Sequence, residues 1–226
     1  MATAVQNIPV ERLKAWDFQT QHAVVVPFSG EAKKQFPDQF MVELYVRLMQ
    51  DDLLHTVYPE GDMSLQQFMA YCLQKPMQIL CENRPIDELL VADPDDATQL
   101  RVAGFGWLYD FAGPDGARMS KVGFVFFREY WGKTLTREMG SLLIKWWLEV
   151  CKVEILYGTL LASNRVAVNF AKKFGFRELC VLPKFYLTGD RRVDGRLVCL
   201  EKADFRPYDP SMAGRANGGG QGQQFH

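Results

Sequence analysis

The sequence lacks a long apolar run and lacks an excess of charge of either sign. No stretch approaches the roughly 20 consecutive apolar residues that span a bilayer, and no apolar signal core follows the first basic residue. The chain has 26 basic and 27 acidic residues, a formal net charge of -1, so it has no overall attraction for the phosphates of nucleic acid. We therefore do not expect a membrane protein, a secreted protein or a nucleic-acid-binding protein.

Cysteine and histidine are also scarce. The five cysteines are odd in number, widely spaced and set mostly in apolar runs, where a thiol behaves as a small hydrophobic group. His22 and His55 have no neighbouring pattern of metal ligands or of a hydrolytic triad. We therefore expect a reducing, cytoplasmic compartment and no metal site.

The composition that is present predicts one folded domain. The chain has 226 residues, 48% of them hydrophobic and 23% charged, which is the balance of a globular protein with a single core. We expect an amino-terminal extension over residues 1–21, a domain over 22–205 and a flexible tail over 206–226. The tail contains three successive glycines among glutamines, and it is a candidate contact for a protein partner. The oligomeric state is not indicated.

Hydrophobic periodicity predicts an α/β order of strand, two helices, three strands, helix, strand, helix and two strands. The acidic residues and two prolines of residues 82–100 predict an acidic loop. We interpret this loop as solvated; the alternative is that its charge attracts a cationic amine. The expected helices lie over 38–51, from Asp62 or Ser64 to before Pro76, over 134–151 and over 164–174. The expected strands lie over 22–28, 78–81 (a brief strand), 153–161, 177–187 and 193–201, and a hairpin is formed by 101–110 and 118–127.

Residues 123–138 place a strand, a turn and a helix start in succession. Amide groups in the first turn of a helix, together with the helix dipole, form an anion site. Gly132 allows close approach to that turn and Lys133 adds positive charge. This segment fits a pyrophosphate; the alternative is an ordinary strand-to-helix turn with a capping threonine.

Two motifs in this region resemble the GCN5-related N-acetyltransferase (GNAT) superfamily, and within it the ribosomal-protein amino-terminal acetyltransferases. The first motif consists of Gly123, Phe124, Val125, Tyr130, Trp131, Gly132, Lys133 and Glu138. The second consists of Asn164, Ala167, Phe170, Lys172, Lys173, Phe174, Gly175 and Phe176. The resemblance implies an α/β GNAT fold, a mixed central sheet of about six to seven strands with four helices and a splayed acetyl-coenzyme A cleft.

The resemblance also implies acetyl-coenzyme A (acetyl-CoA) as the cofactor and a set of residues that bind it. That set is Phe126, Phe127, Arg128, Trp131, Gly132, Lys133, Thr134, Leu135, Thr136 and Asn164. A backbone amide near Phe126 or Phe127 is expected to polarise the thioester carbonyl. The candidates for proton transfer are Asp110 at a strand end, Glu129 beside the turn and Tyr186 on a strand that flanks the cleft.

Two functions remain open at this point. The first is an acetyl-CoA-dependent transferase acting on a primary amine, either a protein amino terminus or a small molecule; a longer acyl group is a weaker variant of it. The second is a catalytically inactive fold relative with a structural or binding role, for example phage-encoded and located in a virion. It is suggested by Ala167 and Ala171, which stand where relatives have a serine or tyrosine acid, and by Thr134 and Thr136, which stand where they have small residues.

Overall fold

The computed structural model describes residues 18–28, 39–57, 63–74, 77–85, 98–109, 118–188 and 190–212. The strands are β1 (Ala23–Phe28), β2 (Met77–Pro85), β3 (Thr98–Tyr109), β4 (Met119–Phe126), β5 (Ile155–Leu161), β6 (Arg177–Thr188) and β7 (Arg191–Glu201). The helices are α1 (Gln39–Gln50), α2 (Leu54–Val57), α3 (Leu65–Gln74), α4 (Thr134–Glu149) and α5 (Arg165–Lys173). The predicted α/β order is confirmed, with the four-residue α2 added to the four predicted helices. None of the helices in these ranges is long and apolar enough to cross a membrane.

The prediction of an acidic loop over residues 82–100 is wrong at both ends of that range, where the chain forms strands. β2 continues to Pro85 and β3 begins at Thr98, and their backbones pair in antiparallel register, with Arg84 opposite Gln99. Pairing between β2 and β3, which follow one another in the chain, satisfies the backbone groups of these polar residues, and this overrides their local loop composition. Residues 86–97 lie outside the described residues, as does the connection between the two strands of the predicted hairpin.

Of the two caps predicted for α3, the described one is Ser64. The Gln67 N–H donates to Ser64 Oγ at 3.2 Å, and the Ser64 N–H donates to Gln67 Oε1 at 2.8 Å. This reciprocal pair is a capping box, which satisfies two amides at a helix start. Asp62, the other predicted cap, lies outside the described residues.

The seven strands form one sheet in the order β1-β2-β3-β4-β5-β7-β6. Every neighbouring pair is antiparallel except β4 and β5, which are parallel. The β4–β5 ladder covers three residue pairs, Met119–Ile155 to Lys121–Tyr157, and the two strands then diverge. A Cβ on Gly158 would lie 3.2 Å from the Val122 carbonyl oxygen, so the strands are still close at the point of divergence. The sheet is therefore split near its centre.

Helices cover both faces of the sheet. On one face α4 approaches β3 at Gly106, where a Cβ would lie 2.7 Å from Leu143 and 2.9 Å from Trp147. The buried Trp147 also donates its indole N–H to Gln78 Oε1 at 2.6 Å. On the other face, Phe68 of α3 contacts Phe105 with ring centroids 6.3 Å apart. The core thus holds β3 and β4 between two helical layers.

The chain after β7 lies against α4 and α5 as far as the structure describes it. The Arg206 N–H donates to the Phe174 carbonyl at 3.1 Å, and the Tyr208 N–H donates to Ser141 Oγ at 2.9 Å. These residues form the beginning of the segment predicted as a tail. Its remainder, residues 213–226, lies outside the described part of the chain, as do residues 1–17 of the predicted extension.

Candidate functional site

A cavity of about 400 Å³ lies where β4 and β5 diverge. Its walls come from these two strands, the turn before α4, the α5 helix and β6. The lining includes Phe126, Trp131, Gly132, Lys133, Thr136, Arg137, Thr159, Asn164, Ala167, Phe170, Ala171, Lys173 and Tyr186.

Alternation along β4 directs half of its backbone groups into this gap. The Arg118 carbonyl accepts the Ile155 N–H from β5 at 3.2 Å, whereas the Phe127 N–H donates to the Ala103 carbonyl of β3 at 2.9 Å. Even-numbered residues of β4 therefore face β5, and odd-numbered residues face β3. It follows that the Phe126 N–H points into the gap, whereas the Phe127 N–H is hydrogen-bonded to β3.

The turn between β4 and α4 presents the amino end of α4 to the cavity. Gly132 has φ 77°, and a Cβ there would meet nothing within 4 Å, so glycine is favoured by backbone conformation and not by lack of space. Lys133 is the N-cap of α4 and makes no side-chain hydrogen bond to the first-turn amides. Those amides are therefore available to an anionic ligand.

Neither threonine at the start of α4 points its hydroxyl into the cavity as a free group. Thr136 is 6% exposed, and its hydroxyl donates to the Tyr130 carbonyl, so its polar end is directed back into the turn. Thr134 is exposed and is not part of the lining. Arg128 and Leu135, also predicted to contact the cofactor, do not line the cavity either.

The lining carries positive charge. Lys133, Arg137 and Lys173 belong to it, whereas the described lining residues include no aspartate, glutamate or histidine. Arg137 follows Lys133 by four residues, so the two lie on the same face at the start of α4. Cations beside a helix amino end form a suitable environment for phosphates.

Tyr186 is the one phenol among the described lining residues. It is 8% exposed and donates its O–H to Thr159 Oγ1 at 2.9 Å. Burial raises the pKa of Tyr186, an effect that the Thr159 hydrogen bond partly opposes. The phenol therefore holds its proton at neutral pH and can act as a proton donor.

Of the two predicted carboxylates, Glu129 is the one among the described residues. Glu129 is ion-paired with Arg47 and, at 3.0 Å, with Arg101, and it does not line the cavity. Asp110 lies outside the described residues. The cavity itself thus offers a proton donor but, among the described residues, no carboxylate base.

Asn164 lines the cavity and caps α5, since the Ala167 N–H donates to Asn164 Oδ1 at 3.0 Å. Ala167 and Ala171 also belong to the lining and contribute no polar side chain. The Phe170 ring lies 5.8 Å from the Phe126 ring, centroid to centroid, so α5 packs across the gap onto β4.

Two lining cations, Arg137 and Lys173, were missed by the sequence analysis. A signal was present for Arg137, because basic residues four apart at a helix start share a face. For Lys173 the signal was weaker, because Lys172 beside it is equally basic and equally exposed. The placement of α5 against β4 decides which of the two lysines reaches the cavity.

Comparison with known proteins identifies the family. A model described as "Acetyltransferase (GNAT) domain" matches residues 41–177, which is more than half of the chain. No curated protein sequence matches. The protein therefore belongs to the GNAT acetyltransferases, and the resemblance seen in the two motifs is confirmed.

Solved structures of acetyltransferases have a similar fold. Spermidine N-acetyltransferase from Vibrio cholerae, in complex with CoA and spermine, has a TM-score of 0.61 at 11% identity and covers 82% of this chain and 98% of its own. Ribosomal-protein-S5-alanine acetyltransferase from Vibrio fischeri has a TM-score of 0.58 at 12% identity, covering 84% and 98%. RimJ from Mycobacterium smegmatis, in complex with CoA-disulfide, has a TM-score of 0.55 at 11% identity, covering 74% and 80%. Acetyl-CoA is the acyl donor of this family.

Proposed function

We propose that this protein is an acetyl-CoA-dependent N-acetyltransferase that acts on a primary amine, either a protein amino terminus or a small molecule. The observation that carries the proposal is the cavity at the β4–β5 divergence, which combines an uncapped helix amino end, three cations and a buried phenol. A reducing, cytoplasmic compartment fits the five cysteines, all of which are free thiols.

The residues of the cavity fit the acyl donor. The first-turn amides of α4, with Gly132 and Lys133, would hold the pyrophosphate. Arg137 and Lys173 would hold further phosphate charge, and no carboxylate in the described lining opposes them. The backbones of β4 and β5 beyond their last pair would hydrogen-bond the amides of the pantetheine arm, as in the addition of a strand.

Acetyl-CoA, when bound, supplies a thioester whose carbonyl carbon the amine attacks. The Phe126 N–H faces the gap and would donate to an oxygen that gains negative charge, which is worth about 3 kcal/mol in comparable sites. The Phe170 ring packs on Phe126, which is 6% exposed. We do not assign this role to Phe127, whose N–H donates to Ala103.

We assign the proton donor to Tyr186, which would protonate the departing thiolate. The phenol is protonated at neutral pH, since burial raises its pKa further from neutrality. Its proton, which Thr159 Oγ1 accepts in this structure, would pass to the thiolate instead. Ala167 and Ala171 line the same cavity without a polar group, so neither competes for this role. For the base that accepts the amine proton we favour Asp110 over Glu129, because Glu129 is held by two arginines.

The test is an acetyl-transfer assay on the purified chain with acetyl-CoA and three acceptor conditions: a peptide with a free amino terminus, spermidine and no amine. Release of free thiol and mass spectrometry of the acceptor are measured. Thiol release that depends on one amine, with formation of its acetyl amide, supports the proposal and identifies the acceptor class. CoA binding without transfer to any amine would favour the inactive, binding role that Ala167 and Ala171 suggest.

A further inference from the structure

The carboxyl end of α1 is fixed beside the cavity by a well-defined helix stop. The Leu53 N–H donates to the Leu48 carbonyl at 2.8 Å, the Asp52 N–H donates to the Met49 carbonyl at 3.1 Å, and Asp52 has φ 53°. These are the two hydrogen bonds and the left-handed residue of a Schellman motif. Leu53 is 3% exposed and lines the cavity. Asp51, which directly precedes the left-handed Asp52, is therefore held in place by this helix stop.

Asp51 holds the start of the turn that leads to Gly132. Its Oδ2 accepts the Arg128 backbone N–H at 2.8 Å, and its carbonyl accepts the N–H of Arg128 Nε. Arg128 is the first residue of a short 3₁₀ turn, Arg128–Tyr130, so its amide has no acceptor within that turn. Asp51 supplies this acceptor from a different element, 77 residues earlier in the chain.

Glu129 also holds this turn, through ion pairs with two other elements. Its carboxylate is ion-paired with Arg47 of α1 and with Arg101 of β3. Arg47 is itself fixed, because it donates to the Val102 carbonyl at 3.0 Å and its guanidinium carbon lies 3.9 Å from the centroid of the Phe127 ring. Neither Glu129 nor its arginines line the cavity.

We propose that Asp51 and Glu129 are positioning residues, which fix the turn so that the first-turn amides of α4 are preorganised for the pyrophosphate. The inference rests on the proposed function. The later part of the turn is held by the Trp131 indole N–H, which donates to the Phe126 carbonyl at 2.8 Å, and by the Thr136 hydroxyl, which donates to the Tyr130 carbonyl. Asp51 and Glu129 hold its start, which matters because Gly132 is conformationally permissive and Lys133 provides no side-chain cap. An unfixed turn would have to be ordered by the ligand, and that cost would lower the affinity.

The test is isothermal titration of CoA into the unaltered protein and four variants: Asp51→Ala, Asp51→Asn, Glu129→Gln and Gln50→Ala. We expect Asp51→Ala to weaken CoA binding by about fivefold, as for one lost hydrogen bond to a backbone amide. Asp51→Asn should stay near the unaltered affinity, because its amide oxygen still accepts the Arg128 N–H. Glu129→Gln should weaken binding by roughly two- to fivefold. Gln50→Ala changes an exposed neighbour on α1 and should have no effect.

Thermal unfolding of each variant without ligand separates positioning from general stability. If Asp51→Ala melts at a lower temperature but binds CoA as tightly as the unaltered protein, the role is structural and the inference is overturned. Equal weakening by Asp51→Ala and Asp51→Asn also overturns it, since the hydrogen-bond acceptor is then not the cause. If the unaltered protein itself does not bind CoA, the proposed function fails and the inference fails with it.

Discussion

Two adjacent lysines at the end of α5 allow a matched test of the cavity's electrostatics. Lys172 and Lys173 are both exposed and both lie in the last turn of the helix, but Lys173 lines the cavity and Lys172 does not. A glutamate at either position opposes the helix dipole to the same degree, which lowers the stability of both variants by roughly 0.5–1 kcal/mol. Only Lys173→Glu places a negative charge beside the phosphates.

The expected loss of affinity follows from the exposure of Lys173. One pair of unit charges 4 Å apart contributes about 1 kcal/mol in water and about 4 kcal/mol at the dielectric of a protein surface. Salt and the mobility of an exposed side chain bring the effect of charge reversal to about 1–2 kcal/mol. This corresponds to a CoA dissociation constant roughly 5- to 30-fold higher.

The assay is isothermal titration of CoA into the two variants at low and at high salt. Lys173→Glu should bind more weakly than Lys172→Glu, and the difference should shrink at about 1 M salt, where charges are screened beyond roughly 3 Å. Equal affinities of the two variants would refute the assignment of Lys173 to the phosphate site. A difference that does not depend on salt would show that its cause is not electrostatic.

Three further predictions concern separate parts of the molecule. Tyr186→Phe should slow acetyl transfer by about 100-fold without changing the CoA dissociation constant. The rate is measured with the amine that the acetyl-transfer assay identifies, and equal rates of the variant and the unaltered protein would exclude Tyr186 as the proton donor. Gly104→Ala would place a Cβ 2.1 Å from the Val125 carbonyl oxygen and should lower the free energy of unfolding in urea by about 3 kcal/mol; an unchanged value would contradict the close β3–β4 approach. Burial raises the pKa of Cys81 to about 12 from 9.0, so the unfolded state loses its proton first and stability falls as pH rises from 9 towards 12. By pH 10 the unaltered protein should lose about 1 kcal/mol relative to Cys81→Ala, and parallel pH profiles in urea unfolding would contradict this.

The long helices and the strand order could be predicted because their signals are local. The helix predicted over 134–151 is observed at Thr134–Glu149, since its apolar positions repeat at the helical step over four turns. The four-residue α2 is too short to show any period. The ends of β2 and β3 were missed because they pair with each other across residues 86–97, and composition alone does not report such pairing.

The site could be predicted in part. Gly132 and Lys133 follow from the strand–turn–helix pattern and Trp131 from the family resemblance, and all three line the cavity. The choice between the Phe126 and Phe127 amides depends on the register of β4 with its neighbours, which the sequence does not show. Glu129 is ion-paired with Arg47, which is 82 positions away in the sequence, and with Arg101, which is 28 positions away. Its role in holding the turn could therefore not be predicted from the segment around it.

Binding of acetyl-CoA tests the central claim most directly. The unaltered protein and Lys133→Glu are unfolded thermally with and without acetyl-CoA. At about 100 times its dissociation constant the ligand should stabilise the unaltered protein by roughly 2.7 kcal/mol, and the same concentration should stabilise Lys133→Glu far less. No shift of the unaltered protein at millimolar acetyl-CoA would contradict the assignment of the β4–β5 cavity as the acyl-donor site.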